Sequence, residues 1–449
     1  MKKIHDKFHV FATPILNFIG VDKKIGTALI ARVISMISAP VGSFITVWKL
    51  SAEQQGIYYL FGSLLALRAL FELGVGMSVV QVAAYARKPS SRARTEPLDG
   101  AFVAVVNQWM GKASLYYAVF TGLGGVAFLC YQNHGDTKTL SAWCIYILIA
   151  AFQFASEGRW GLTEGAGFVT EANLLRIRNN LIQTGSLWVA LLSGAGLFSF
   201  CIASAIGFTC QEYQFRKFHP WLYARSKDQL ADRLSHYKSE LVMLVRKASQ
   251  TYLTGYFVFQ IQQPICFALL GAAASARLGF TQSIGSMFIG IASIWLSMNF
   301  PRMAHHVADQ EISQASALFR VKWIQVCIFA ILAGLFSWGI TILLANLPKF
   351  QDRLMDPLSS CILYVSITLQ TIALGLTYWP RAFKVEPFVW IAYTQMILTP
   401  LFLWCAMSYM GLVGAAVGNL ASWVIGALGI YSIFVRYWKL GIRSTQNYK

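Results

Sequence analysis

Apolar and polar positions alternate along this chain on the scale of whole helices. About twelve apolar stretches, most near the ~20 residues that a bilayer-spanning helix needs, are separated by short connectors. They predict spans at 26–48, 57–86, 113–131, 140–158, 173–193, 195–214, 248–270, 278–300, 323–344, 358–380, 387–409 and 411–435. The fifth is the least regular, because its uninterrupted apolar run, Leu181–Leu192, covers only about 18 Å. To cross, it must take in Arg176, Arg178, Asn179 and Asn180. These lie either in the inner headgroup zone or against a water-filled cavity.

Most of the 37 Lys and Arg residues fall in every second connector. Basic loops stay cytoplasmic, so this beat places both termini inside. Residues 1–25 are too short and too polar to span. With Phe8, Phe11, Ile15 and Phe18 among basic residues, they read as a cytoplasmic interfacial segment rather than a cleavable leader. The longest connector, 215–247, opens a helix with the capping-box form Ser226-x-x-Gln229. It carries Leu230, Leu234, Leu241 and Leu244 at helical spacing, which predicts an amphipathic linker flat on the cytoplasmic surface. Residues 438–449 form a cytoplasmic tail.

The linker divides the chain into lobes at 26–214 and 248–437. The two halves echo each other. Pro40 in the first span and Pro264 in the seventh each precede a glycine, Gly56 and Gly279, that opens the next span. Gly196-Leu197 and Gly411-Leu412 open the sixth and twelfth. The expected fold is all-α: a polytopic membrane protein of about twelve helices in two parallel lobes, a transporter pattern that puts the substrate path between repeats. Proline removes a backbone hydrogen bond, so Pro40 and Pro264 are the candidate hinges.

Composition agrees and narrows the function. In 449 residues, 56% hydrophobic and only 12% charged content exclude a soluble multidomain protein. The formal charge of +18 sits beside spans, where it meets anionic lipid headgroups. Membrane lipids, not nucleic acid, are the expected partners. The eight cysteines form no metal or redox spacing, and His305-His306 lacks further ligands, so no metal or cofactor is expected. No nucleotide-binding loop or nucleophile elbow appears, which argues against an enzyme.

Charge inside the spans is the functional clue. Arg68 falls near mid-bilayer and Arg32 nearer the inner face of its span. An arginine at the centre of a span costs about 2.5–3.5 kcal/mol on insertion scales, so Arg68 should face protein or water. It either pairs with Glu72 one helical turn on, fixing helix packing, or offers its planar fork to an anionic substrate. Arg32 either snorkels to the inner surface or meets the same substrate. Glu72, the only carboxylate deep in a span, is the candidate coupling residue. Gln260, Gln262 and Gln263 precede Pro264 and serve either interhelical packing or contacts to sugar.

The run Leu50-Ser51-Ala52-Glu53-Gln54-Gln55-Gly56-Ile57-Tyr58-Tyr59, continuing as LFGSLLALRALFELGVG, resembles the first hairpin of bacterial polysaccharide flippases. These belong to the multidrug/oligosaccharidyl-lipid/polysaccharide exporter superfamily. Glu157-Gly158 and Gly196-Leu197 fit the same family. The resemblance implies a two-lobed carrier in the bacterial inner membrane. It would move an undecaprenyl-diphosphate-linked, anionic oligosaccharide outward for surface polysaccharide such as lipopolysaccharide, with polysaccharide polymerase machinery as a candidate partner. The family's cationic cavity would correspond to Arg32 and Arg68; Arg176, Arg178, Gln260 and Gln263 are candidate substrate contacts from the residues themselves, not from the resemblance. The rival readings are a cation-coupled multidrug exporter of the same fold and a membrane glycosyltransferase or polymerase.

Overall fold

The computed structural model describes residues 41–86, 97–223, 231–383 and 385–446, which form helices joined by turns, with no β-strand among them. Helix α1 is described over residues 41–49. The second predicted span is broken into α2 (Ala52–Leu65), α3 (Arg68–Glu72) and α4 (Val75–Tyr85). Leu73 and Gly74 take left-handed φ values of 51° and 77°, and the pieces on either side meet at 44°. Glycine adopts that conformation without steric cost, so the Leu-Gly pair ends one helix and starts the next inside the span. Long α5 (Gly100–Tyr131), α6 (Thr137–Gly165), α7 (Val169–Leu192) and α8 (Phe198–Phe218) complete the first half.

The second half begins with α9 (Ala231–Phe259), followed by α10 (Gln262–Ala292), α11 (Ile294–Ala308) and α12 (Ile312–Ala345). Then come α13 (Pro357–Leu376), α14 (Tyr378–Ala382), α15 (Val389–Met410) and α16 (Leu412–Gln446). Within α10, Gly271 has φ 82° and ψ 179°. The Gln263 amide, oriented to satisfy both its atoms, donates to Ser275 Oγ at 2.9 Å, yet residues twelve apart in a straight helix stand about 18 Å apart. The chain therefore folds back at Gly271, a tight hairpin that separates the seventh and eighth spans. Pro264 lies in the first turn of α10, where a missing N–H costs little. The helix break is just before it, at Gln260 and Ile261. Pro40 lies outside the described residues.

Among the described residues, seven helical stretches are long and apolar enough to cross a bilayer, and the bent pair Ala52–Glu72 with Val75–Ala83 is an eighth. One of the seven, Leu253–Ala308, has 56 residues, about 84 Å of helix, which exceeds two passes through a ~30 Å core. Apolarity alone does not reach the expected number: most of the first predicted span lies outside the described residues, and α7 and α8 carry Arg176, Arg178, Asn179 and Glu212 and satisfy them against neighbouring helices.

The amphipathic linker departs from expectation. From Ala231 it runs without a break into the seventh span as α9, while the predicted cap at Ser226 and Gln229 lies outside the described residues. Leu241 and Val245 are buried in the first half's core, and Leu234, Tyr237 and Leu244 pack against it. Tyr237 donates to Asp99 at 3.2 Å. The leucine stripe finds protein rather than lipid, which explains its amphipathic pattern equally well. One large apolar core is built mainly from residues 57–245 and a second from residues 265–430. A small third cluster, Val47, Phe280, Ile284 and Leu354, joins them.

Candidate functional site

A cavity of about 800 Å³ lies between the two large cores. Helix α2 is the first element that shapes it. Ser51 and Gln54 form a reciprocal cap, with Gln54 N–H donating to Ser51 Oγ at 3.1 Å and Ser51 N–H to Gln54 Oε1 at 3.2 Å. That fixes where the helix starts and sets Tyr58, Tyr59, Gly62 and Ser63 on the face that lines the cavity. Ser63 Oγ donates to the Gln260 carbonyl at 2.8 Å, satisfying an acceptor near the α9–α10 break.

The opposite wall is rich in amides and hydroxyls. Gln260, Gln262, Gln263, Gln282 and Gln370 line it with Ser283, Ser286 and Asn419, while Asn180, Thr184 and Phe200 come from the first half. Every described residue of the lining is uncharged. Gln263 is tied to Ser275, and Gln262 donates to the Ala415 carbonyl at 3.4 Å. A second chamber of about 390 Å³ shares Ser286, Ile367 and Gln370 with the first and extends past Thr377 and Tyr378 to Arg381. Arg381 is clamped by Glu386 through contacts of 2.7–3.1 Å. By the charge pattern, that end faces the cytoplasm.

The end that the charge pattern puts outside is closed. Arg353 donates from Nη1 to Gln55 Oε1 and from Nη2 to the Leu50 carbonyl, each at 3.0 Å, joining the connector of the second half to the first hairpin. Lys349 lies 5.0 Å over the Trp48 ring. At Gly56 the backbones touch: a Cβ there would lie 1.9 Å from the Ala272 carbonyl oxygen, beside the Gly271 turn.

The arginines predicted from sequence are not in the described lining of this cavity. Arg68 donates to Glu157 Oε1 at 3.1 Å, linking α3 to α6, so the expected in-helix pair with Glu72 is replaced by a partner on another helix. Glu72 stands within electrostatic reach of both, at the broken end of α3. The side chains of Arg68 and Glu157 remain 43% and 36% exposed, enough for a ligand or water to reach the pair. Arg176 pairs with Glu164, its guanidinium 5.0 Å over the Trp160 ring. Arg178 donates from Nε and Nη2 to the Gln214 amide oxygen at 3.1 and 3.2 Å once that amide is oriented to satisfy both its atoms. Asn179 contacts Gln211, which donates to Ser156 at 2.7 Å, and Arg159 pairs with Glu212. These residues hold α6, α7 and α8 together. Of the four polar residues at the start of the fifth span, only Asn180 lines the cavity. Successive residues on a helix point about 100° apart, so neighbours in sequence need not share a wall. Arg32 lies outside the described residues.

Of the glutamines singled out from the sequence, Gln260, Gln262 and Gln263 line the cavity. Gln282, Gln370 and Phe200 were missed. The available signal for the first two was a lone amide in an otherwise apolar span.

No protein-family model matches the sequence, and no curated protein matches it significantly. Solved structures do. The chain is similar to a multidrug resistance MATE family transporter of the MOP superfamily in an inward-facing conformation. The TM-score is 0.63 at 11% identity, over 92% of this chain and 99% of that one. It is similar to the lipid II flippase MurJ in an inward closed conformation, with a TM-score of 0.67 at 12% identity, over 92% and 90% of the two chains. A eukaryotic MATE transporter matches at 0.55 and 12% identity, over 95% and 98%. The chain thus shares the polytopic helical fold of these solved structures.

Proposed function

We propose that this protein is a flippase that moves an undecaprenyl-diphosphate-linked oligosaccharide from the inner to the outer leaflet of the bacterial cytoplasmic membrane. The observation that carries the reading is the cavity between the two halves, walled by amides and hydroxyls contributed by both. Ligand sites place a few polar groups in an otherwise apolar setting to fix orientation, and a cavity this polar suits a hydroxyl-rich headgroup. The two lobes rock about it, closing outside through Arg353 and Gly56 and opening toward the cytoplasm, with Pro40 and the helix break beside Pro264 as hinges. Arg68 receives the diphosphate by exchanging Glu157 for substrate oxygens. Arg32, Arg176 and Arg178 supply further positive charge, and Glu72 couples the cycle to an ion gradient. Each negative charge carried outward gains about 2.3 kcal/mol per 100 mV of inside-negative potential.

The second reading is a cation-coupled drug exporter, favoured by the likeness to MATE transporters. It calls for carboxylates facing the cargo, and the described cavity lining holds none. The test is a deletion strain in which lipid-linked oligosaccharide is located by leaflet. Completed units stranded on the cytoplasmic side are the expected result. Units that appear outside but unpolymerised would transfer the assignment to a polymerase, and normal export with drug sensitivity would transfer it to the exporter.

A further inference from the structure

The cavity wall carries a stack of aromatic rings together with glutamines whose side-chain amides no other described residue engages. Tyr58 and Phe200 stack with centroids 4.0 Å apart and planes 25° from parallel. Behind them Phe200 stacks on Tyr146 at 5.0 Å and 18°. Tyr58 and Phe200 both line the cavity from the first half, and Tyr146 is buried in the core beneath, so the platform is backed by packed protein. From the second half, Gln260, Gln282 and Gln370 line the same space. Among the described residues their side-chain amides have no hydrogen-bond partner in the protein.

Resting on the flippase reading, we infer that the ring of Tyr58, propped from behind by Phe200, forms the seat for an uncharged pyranose ring of the cargo, held by Gln260, Gln282 and Gln370. An aromatic face is electron-rich and attracts the weakly positive C–H face of a sugar ring. A primary amide offers both a donor and an acceptor, matching a hydroxyl that is likewise both. A cationic drug would find the aromatic face but no carboxylate in the described lining, and an acidic sugar would find no cation there. The sugar touches both halves at once, so its binding favours the state in which the halves approach each other across the cavity. When no cargo is present, water satisfies the three amides and is displaced by hydroxyls that reproduce its hydrogen bonds.

The experiment titrates purified full-length protein in detergent with two probes, farnesyl diphosphate and farnesyl diphosphate bearing one N-acetylglucosamine, read by tryptophan fluorescence. The sugar-bearing probe is expected to bind about tenfold more tightly, the scale of one aromatic contact. Phe200→Leu and Gln370→Leu should each remove that increment and leave the bare lipid's affinity unchanged, while Phe200→Tyr keeps it. Gln370→Leu spares the ring stack, so it decides the matter even where Phe200→Leu fails to fold. Equal affinity of the wild-type protein for the two probes overturns the sugar seat and leaves the flippase reading standing. Variants that weaken both probes alike also overturn it, since that is a packing effect. If neither probe binds and ethidium does, the flippase reading falls and the sugar seat falls with it.

Discussion

Gly56→Leu is expected to abolish export while the protein still inserts into the membrane. The outer closure leaves no room for any side chain at this position, because a Cβ meets the Ala272 carbonyl at 1.9 Å. That atom belongs to the backbone beside the Gly271 turn, so it cannot rotate away as a side-chain tip would. The hairpin and α2 must separate by more than an ångström, and overpacking of this kind costs about 1–3 kcal/mol. Separation also pulls Leu50 and Gln55 away from Arg353, whose two 3.0 Å bonds hold the same junction. Hydrogen bonds to a charged group contribute about 1.5–3 kcal/mol each. Arg353→Ala should therefore shift the protein the same way, less strongly. The measurement is labelling of an engineered cysteine at Ser283, which lines the cavity, by an impermeant maleimide added from outside. Labelling should be slow in the parent and at least several-fold faster in both variants. Unchanged labelling would mean that these contacts do not close the outer end.

The second large effect is expected at the Arg68–Glu157 pair. Removing one member of an ion pair inside a span leaves the other uncompensated, at a cost of about 3–5 kcal/mol for a buried pair and less here because both side chains are over a third exposed. Arg68→Ala and Glu157→Ala should each lower the amount of protein in the membrane and reduce surface polysaccharide by about tenfold or more. The exchanged pair, Arg68→Glu with Glu157→Arg, restores charge balance between α3 and α6 and should return protein abundance to near normal. Surface polysaccharide should stay low in that double variant, because the guanidinium has moved to a different helix and no longer meets the diphosphate. Immunoblotting of membranes beside polysaccharide staining separates the two quantities. Recovery of both would reduce the pair to a brace between helices.

Much of the architecture was legible in the residues alone, and the site was legible only in part. Spans three, four and nine to twelve are recognisable because a helix in hydrocarbon must be apolar along its whole length, a property that each segment carries by itself. The capping box at Ser51 is as local, its partners only three residues apart, but it was not read from the sequence. Gln260 and Gln263 were singled out by their position just before Pro264. Gln282, Gln370 and Phe200 left no comparable mark. A helix that is apolar all round gives no periodicity from which to infer which side faces a cavity.

Local chemistry thus sufficed for an all-helical, multi-pass chain with its charge gathered in alternate connectors, because backbone hydrogen bonding, hydrophobic length and loop charge are read within a few turns. Folding in three dimensions chose the partners: Glu157 over Glu72 for Arg68, the first core over the lipid surface for Leu241, Arg353 for Leu50. Those choices depend on how each helix is rotated and where it breaks, and rotation is set by the sum of many packing contacts with distant segments. No single stretch of residues carries that sum.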